Sequence, residues 1–340
     1  MAPRKRVTIP DIARQAGVSR GAVSFALNGR PGVSEQTRSR IMAIADEHGW
    51  QPDRAARALG GARLDVIGLV VERPATSLGA EAFFTDLIAG IQSGLAATDV
   101  SMLTRVVGDS ESEIRTYRTG HGSRHVDGVI VIDPRDDDPR LAVLSELGLP
   151  AVVIGSAPGG PGEQTTVWLD DRKAAHTLFD HLRDLGHERI AYVTGPAEFQ
   201  HTRIRAEVLT GLGADGTVVV TDFSPSAATA ATERLLAASS PPTAIVYDNE
   251  VMAIAGLRVA QKRDIRVPDD VSIASFDDSV IAGLMHPSIT SLTRDTLALG
   301  ELAASHLLAQ LDSDDPLPSI AAPVPVLSRR ESTAPPRDRR

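Results

Sequence analysis

Cysteine is absent from the 340-residue chain, which excludes disulfide frameworks, thiol nucleophiles, iron–sulfur clusters and cysteine-ligated zinc sites. Aromatic residues make up only 4% of the chain. No apolar run approaches the roughly 18 residues of a membrane-spanning helix. The N-terminal Met-Ala-Pro-Arg-Lys-Arg lacks the apolar stretch of a signal peptide. We therefore expect a cytoplasmic protein that does not contact a membrane.

Motifs of enzymes and cofactor sites are also missing. The segment Gly211–Gly216 spells G-x-G-x-x-G, but it follows a predicted helix and precedes a predicted strand, which is the reverse of the nucleotide-binding order. The histidines show no metal-ligand spacing. The segment Asp136–Asp138 is flanked by two prolines and is predicted to be an exposed loop. We expect neither an enzyme nor a cofactor.

The charge of the chain is unevenly distributed, although the composition is that of a globular protein, with 42% hydrophobic and 23% charged residues. The net charge is −9, yet residues 1–63 hold 11 Lys and Arg against 5 Asp and Glu, a balance of +6. Residues 64–340 therefore carry −15. A small basic head on a large acidic body predicts two modules, of which the first binds a polyanion.

Residues 8–29 have the pattern of a helix-turn-helix. Thr8 can cap a first helix, Gly17 falls where the chain must turn sharply, and Ser19 can cap a second helix. Three residues give the first helix one apolar face: Ile12, Ala13 and Ala16. A third helix is predicted to begin after Ser34 and to end at His48-Gly49.

The second helix has one apolar face and one outward face. Val23, Ala26 and Leu27 are predicted to face the core. Arg20, Gly21 and Ser24 point outward near the N-terminal half, the part of a recognition helix that reaches base edges. A three-helix bundle without a role in DNA binding is the alternative. The basic charge of the head favours DNA binding.

Residues 51–63 are predicted to contain one short basic helix between Pro52 and Gly60-Gly61, too short to be stable alone in water. A plain linker is the alternative. With this segment, the head resembles that of the lactose-repressor (LacI/GalR) family of bacterial transcription regulators. The resemblance implies a hinge helix that folds on operator DNA, with Ala56 at the helix–helix contact and Leu59 inserted into the minor groove.

The helix pattern and the resemblance together predict ten residues at the DNA. Asp53 departs from the family, which usually has Asn after the proline. The predicted DNA-binding residues are Thr8, Ser19, Arg20, Gly21, Ser24, Asn28, Arg54, Ala56, Arg57 and Leu59.

From residue 64 short apolar runs alternate with amphipathic stretches. The predicted strands are Val66–Val71, Met102–Val107, Gly128–Ile132, Ala151–Ile154, Val167–Leu169, Ile190–Val193, Thr217–Val220, Ala244–Tyr247 and Val271–Ser275. Such alternation predicts parallel sheets. Nine strands exceed one doubly wound domain, so we expect two such subdomains, divided near residue 165, with a ligand cleft between them at the carboxyl ends of the strands.

The resemblance extends over the body through stretches such as Val126–Ile130, Leu185–Ala191 and Val267–Ile273. It implies a type I periplasmic-binding-protein-like fold of two doubly wound parallel-sheet subdomains, following a small all-α helix-turn-helix head. The expected domains are a DNA-binding head (1–50), a hinge (51–63) and an effector-binding and dimerisation domain (64–340). In the last, the N-subdomain takes about 64–165 and 294–320, and the C-subdomain about 166–293 and 321–333.

The resemblance also implies an effector site. Arg205 matches a ligand-clasping arginine, whose guanidinium suits vicinal hydroxyls or a carboxylate, with Arg203 as the second candidate. Phe223 matches an aromatic residue that stacks on the ligand. The predicted effector-binding residues are Phe83, Phe84, Arg205, Phe223, Asn249 and Asp277. The alternatives are a surface ion pair for Arg205, a core position for Phe223 and a solvated turn for Asp277.

The resemblance implies a homodimeric, allosteric repressor that leaves a pseudo-palindromic double-stranded operator when a mono- or oligosaccharide binds. One alternative is a corepressor-dependent regulator that binds a purine or a phosphorylated metabolite. The other is a transport-type sugar-binding protein, which would need an export signal and no basic head. The Pro- and Arg-rich C-terminal stretch 334–340 lacks leucine heptads, so we expect no tetramer.

Overall fold

The computed structural model describes residues 7–27, 29–50, 63–73, 78–155, 164–213, 216–313 and 315–337. These residues form two compact units, and the boundary between the units follows Leu64. In the described part of the chain, no helix is both long enough and apolar enough to cross a membrane.

The first unit is a three-helix bundle: α1 (Ile9–Ala16), α2 (Arg20–Leu27) and α3 (Glu35–Glu47). The predicted start of α2 is confirmed, because the Ser19 hydroxyl accepts a hydrogen bond from the Ala22 amide at 3.2 Å. The predicted turn is confirmed as well, since Gly17 has a φ of 66°. The bundle buries Ile12, Ala13, Ala16, Val23, Ala26, Ile41 and Ala45. These include the predicted core residues of α1 and α2 except Leu27, which packs against the cluster and is only partly buried.

The first sheet of the second unit has the strand order β11-β5-β4-β3-β1-β2, and all its pairings are parallel. Its strands are β1 (Val66–Glu72), β2 (Ser101–Val107), β3 (Gly128–Val131), β4 (Ala151–Ile154), β5 (Thr165–Trp168) and β11 (Ile320–Ala321). Because β5 belongs to this sheet, the chain crosses to the second sheet after Trp168, a few residues beyond the expected division near 165.

The second sheet has the order β12-β10-β9-β8-β6-β7 and is parallel except for the β10–β12 pair. Its strands are β6 (Ile190–Thr194), β7 (Thr217–Val220), β8 (Ala244–Tyr247), β9 (Ser272–Ser275), β10 (Thr290–Thr293) and β12 (Val326–Ser328). All nine strands that the sequence predicts overlap strands of the structure, so the expectation of two parallel-sheet subdomains is confirmed.

Helices follow the strands in both subdomains. They are α4 (Ala82–Leu95), α5 (Ser110–Gly122), α6 (Pro139–Leu147), α7 (Asp171–Asp184), α8 (Gln200–Gly211), α9 (Pro225–Leu236), α10 (Glu250–Lys262), α11 (Val280–Leu284) and α12 (Thr296–Leu311). Helix α12 returns to the first subdomain and packs on α4 at two glycines. A Cβ at Gly90 would lie 2.0 Å from the Leu297 carbonyl oxygen, and a Cβ at Gly300 would lie 2.4 Å from that of Leu87.

Candidate functional site

A narrow cleft separates the carboxyl ends of the two sheets, which is where open parallel sheets bind their ligands. Its free volume is about 60 Å³. Most of its lining residues follow directly on a strand or lie at the start of the next helix. They are Arg73, Glu81, Phe83, Phe84, Ile132, Asp133, Pro134, Ile154, Gly155, Leu169, Asp171, His201, Arg205, Phe223, Asp248, Asn249, Asp277 and Arg294. All six predicted effector-binding residues are in this set.

Arg205 is almost completely buried at the base of the cleft. Its Nη1 atom donates to Asp248 Oδ1 at 2.6 Å, and its Nε and Nη2 atoms donate to Asp171 Oδ1 at 3.2 and 2.8 Å. The guanidinium also lies 4.4 Å from the ring centre of Phe276. Three of the five N–H groups of the arginine are therefore used, and two are left for a ligand. Arg203 is exposed by contrast and pairs with Asp136 and Glu207.

Asp248 holds Arg205 in place and is itself held by three further donors. Its carboxylate accepts hydrogen bonds from the Tyr192 hydroxyl at 2.5 Å, the Thr194 hydroxyl at 2.8 Å and the Gly195 amide at 3.1 Å. Burial alone would raise the pKa of Asp248, but the Arg205 guanidinium, His201 and the hydrogen bonds from Tyr192 and Gly195 together outweigh it, and the pKa is lowered. The carboxylate is therefore ionised at neutral pH and forms a rigid buried pair with Arg205.

An aromatic stack forms one wall of the cleft. Phe199, His201 and Phe223 lie nearly parallel, with ring centres 5.9 to 6.1 Å apart. Phe223 has a φ of 64°, and its ring lies directly over Gly195, where a Cβ would come within 1.9 Å of the ring. The glycine thus makes room for an aromatic wall, which is the kind of surface that stacks on the apolar face of a small ligand.

Acidic side chains from both subdomains meet at the other end of the cleft. Burial raises the pKa of Glu81 to about 8, and the neighbouring Asp133, Asp277 and Glu250 add to the rise. Burial, together with Asp277, raises the pKa of Glu250 to about 7. Asp277 has a raised pKa for the same reason, although Arg294 at 3.6 Å opposes the effect.

These raised pKa values predict that stability falls at alkaline pH. Native Glu81 and Glu250 keep their protons above the ordinary value of 4.5, whereas the unfolded chain releases them, so stability declines as pH rises toward the native pKa values. Burial lowers the pKa of His201, so this residue instead reduces the stability of the folded protein as pH falls below about 6.5. We expect Glu81→Gln to reduce the loss in the free energy of unfolding between pH 6.5 and 8.5 by about 1–2 kcal/mol.

The measurement is urea unfolding at a series of pH values. Glu111→Gln removes an exposed carboxyl from α5 and serves as the matched control. In this variant the slope of the free energy of unfolding against pH should equal that of the unmodified protein. An unchanged slope in the Glu81 variant would contradict the assignment of the raised pKa.

Several buried polar atoms of the cleft have no hydrogen-bond partner among the described residues. They are Arg73 Nε, Glu81 Oε1, Asn249 Nδ2, and Arg294 Nε and Nη2. Asn249 caps α10 through its oxygen, which accepts from the Met252 amide at 2.8 Å, so its amide nitrogen is left facing the cleft. Buried donors without partners are costly, and a bound polar ligand would supply the missing acceptors.

Direct contacts join the two subdomains on both sides of the cleft. Glu250 accepts a hydrogen bond from the Ala82 amide at the start of α4 at 2.8 Å. On the other side, Arg135 forms a β-bridge with Phe199. Arg203 donates to both carboxylate oxygens of Asp136, at 2.6 and 3.1 Å. The subdomains therefore lie in a closed arrangement.

The prediction that Asp136–Asp138 is an exposed loop is wrong for Asp138. This residue is buried, and its carboxylate accepts hydrogen bonds from the Arg140 amide and guanidinium at 2.7 to 3.1 Å. Arg140 also reaches the buried Glu113 at 3.0 Å. The ion cluster explains the burial, because it offsets the cost of removing each charge from water.

A second candidate site lies on α2 of the head. Arg20 and Gly21 are exposed, Ser24 is half-buried, and all three lie on the side of the helix opposite the buried Val23 and Ala26. Thr8 and Ser19 are exposed at the starts of α1 and α2. The other predicted DNA-binding residues, Asn28, Arg54, Ala56, Arg57 and Leu59, lie outside the described residues.

Sequence reasoning missed several residues of the cleft. Arg73, Asp133 and Asp171 each follow a strand closely, and Asp248 comes directly after β8. Their position after strands was the available signal, because the carboxyl ends of parallel strands meet at one edge. Among the described residues, no group of His, Asp and Glu has the arrangement of a metal site.

Two family models match the chain. The model described as bacterial regulatory proteins of the lacI family matches residues 8–53, and a periplasmic binding protein-like domain matches residues 179–333. The HTH-type transcriptional regulator CelR of Thermobifida fusca is 32% identical over 92% of this chain and 94% of its own length.

Solved structures are similar to most of the chain. A LacI family transcriptional regulator from Bifidobacterium animalis subsp. lactis is 34% identical, with a TM-score of 0.72, over 81% of this chain and 100% of that one. The complex of the regulator CelR with cellobiose is 29% identical, with a TM-score of 0.71, over 96% of this chain and 100% of that one.

Proposed function

Because the chain belongs to the LacI family of bacterial transcription regulators, we propose that it is a homodimeric repressor whose operator affinity is controlled by a neutral sugar in the cleft. Two heads related by a two-fold axis read a pseudo-palindromic site. The sugar changes the closed arrangement of the subdomains and thereby the spacing of the heads. The protein acts by binding alone, without catalysis.

The cleft favours a sugar as the ligand because it combines an aromatic wall with polar atoms that have no hydrogen-bond partner in the described part of the chain. Phe223 offers a flat apolar surface, while Asn249 and Arg294 offer donors that make no hydrogen bond to another described residue. A pyranose ring has both an apolar face and a rim of hydroxyls, so it satisfies both features at once.

The charge of the cleft favours a neutral ligand over a phosphorylated one. Five carboxyl groups line it, against the three guanidinium groups of Arg73, Arg205 and Arg294. Arg205 is already paired with two carboxylates. With Glu81 protonated at neutral pH, four carboxyl groups still outnumber the three guanidinium groups, so a phosphate would meet an excess of negative charge. The charge of the cleft therefore argues against a phosphorylated corepressor. A purine corepressor is tested in the experiment below.

The experiment measures release of a fluorescent operator by full-length protein. The panel holds cellobiose, the ligand of the CelR complex, with maltose, glucose, glucose 6-phosphate and hypoxanthine. We expect a neutral sugar to raise the Kd for operator about 5- to 150-fold. Tighter operator binding with hypoxanthine or glucose 6-phosphate would instead establish a corepressor.

The outward face of α2 is proposed to read bases. Replacing Arg20 by alanine should weaken operator binding by about 1–3 kcal/mol and relax specificity at one base position of each half-site. Competition with shuffled DNA measures both effects. Arg118→Ala, which removes an exposed cation from the body, is the control and should bind as the unmodified protein does. Equal loss on operator and shuffled DNA would reassign Arg20 to a phosphate contact.

The proposed dimer interface includes α11. Three large apolar side chains are exposed on this short helix: Val280, Ile281 and Leu284 are 80%, 61% and 79% exposed. An exposed apolar cluster of this kind marks an association surface. A second copy of the chain covers this cluster, because a dimer is needed to read an operator with two-fold symmetry.

A further inference from the structure

The cleft is filled by a side chain of the protein itself. Arg73 directly follows β1, and its guanidinium carbon lies 4.4 Å from the ring centre of Phe223. The same carbon lies 5.3 Å from the ring centres of Phe84 and Phe199. Three aromatic rings thus surround one cation, an arrangement that is more favourable where water is excluded.

Carboxylates complete the surroundings of this guanidinium. Its Nη2 atom pairs with Asp133 at 2.7 Å, and its Nε atom lies 4.0 Å from Glu81. The Nη1 atom donates to the Glu72 carbonyl oxygen at 3.0 Å. The Arg73 side chain is only 6% exposed. The aromatic rings and acids therefore bind Arg73 as they would bind a separate cation.

The contacts of Arg73 span the cleft. Asp133, Glu81 and Phe84 belong to the first subdomain, whereas Phe199 and Phe223 belong to the second. We propose that Arg73 is an internal ligand, a latch that closes the two subdomains in the absence of effector and that an effector must displace. The free volume of about 60 Å³ supports displacement, since sites for small molecules measure about 300 Å³ or more.

The need to displace Arg73 determines which ligands can bind. This inference rests on the proposed function of the cleft as an effector site. A competing ligand must replace both the flat contact on Phe223 and the hydrogen bond to Asp133. A sugar with an apolar face and an adjacent hydroxyl replaces both contacts. An anionic ligand would meet Asp133 without its partner and would be rejected. Arg73 is thereby a specificity-determining residue of the cleft.

Chemical rescue with free guanidinium tests the latch directly. Arg73→Ala should lower the Tm of the full-length protein by about 5 °C, because Asp133 loses its partner in a buried site. Guanidinium chloride at about 20 mM should raise the Tm of this variant by about 2 °C by occupying the vacated space. The Tm of the unmodified protein should not rise, since Arg73 already fills the site.

Two controls separate rescue from a salt effect and from general stabilisation. Sodium chloride at equal concentration should leave the Tm of Arg73→Ala lower than guanidinium does. Arg118→Ala removes an exposed arginine that pairs with Glu146 on the surface, and guanidinium should not raise its Tm. Small-angle scattering should show a larger radius of gyration for Arg73→Ala, reversed by guanidinium.

Equal responses of the Arg73 variant and the unmodified protein to guanidinium would overturn the latch, as would an unchanged radius in the variant. Arg73→Lys provides a second check in case the alanine variant folds poorly. It keeps the charge but lacks the planar group, so guanidinium should raise its Tm less than that of Arg73→Ala. The experiment uses neither DNA nor sugar, so its failure leaves the proposed function standing, and failure of every sugar leaves the latch standing.

Discussion

Replacing Leu284 by aspartate should convert the dimer into a monomer and weaken operator binding at least 100-fold. Leu284 is 79% exposed beside Val280 and Ile281, and a charge in this apolar cluster would be buried without a partner on association. Loss of the second head removes the gain in affinity from simultaneous binding of two half-sites, which is of the order of 10²–10⁴. Multi-angle light scattering should give the 36.0 kDa mass of one chain instead of twice that mass.

A matched control comes from another exposed apolar residue of the same subdomain. Val220 lies on β7 at the edge of the second sheet and is 54% exposed. Val220→Asp should stay dimeric and bind the operator as the unmodified protein does. A DNA carrying a single half-site should bind both variants equally. A dimeric Leu284→Asp protein, or a monomer with undiminished affinity for the full operator, would contradict the assignment of α11.

Replacing Arg205 by methionine should destabilise the body by about 3–5 kcal/mol and abolish the response to effector. The change leaves Asp171 and Asp248 buried without their cation, and it also removes the two N–H groups that are left for a ligand. Urea unfolding measures the stability loss, and operator release by the active sugar measures the response. DNA binding itself should persist where the variant is folded.

The neighbouring Arg203 provides the control on the same helix. Arg203→Met removes an exposed arginine paired with Asp136 and Glu207, and it should cost less than about 1 kcal/mol. Adding Asp248→Asn to Arg205→Met should recover part of the lost stability, because a neutral amide needs no counter-charge. The deficit of Arg205→Met should also narrow toward pH 5, since Asp248 without Arg205 has a raised pKa and accepts a proton. Additive costs in the double variant would contradict the buried pair.

The helices and strands were predictable where local pattern coincides with burial. The face of α2 that carries Arg20 was predicted because helical periodicity divides the buried Val23 from exposed neighbours. The strand β10 was missed, because it holds the buried polar residues Thr290 and Ser291. The Thr290 hydroxyl is hydrogen-bonded to the Arg330 carbonyl oxygen and the Thr333 hydroxyl. Hydrogen bonds of this kind join segments that are distant in the sequence, so the local periodicity of residues 290–293 does not indicate them.

The cleft was predictable only where the family resemblance supplied a motif. Arg205, Phe223 and Asp277 lie at its lining, as expected from their positions in that pattern. Arg73 follows an ordinary apolar strand, and only the folded cleft shows that three aromatic rings converge on it. Asp138 was misjudged for a similar reason, since its partner Arg140 also pairs with Glu113, which lies on another helix that meets α6 only in the folded protein.

Selection of bound sequences from randomised duplex DNA by the purified full-length protein shows whether the head reads an operator. We expect enrichment of an inverted repeat whose half-site centres are one helical turn of DNA apart, with affinity that falls steeply as salt concentration rises. Such a sequence also identifies candidate target genes and therefore the sugars to examine. Absence of enrichment, both without ligand and with each compound of the panel, would contradict the assignment of a DNA-binding regulator.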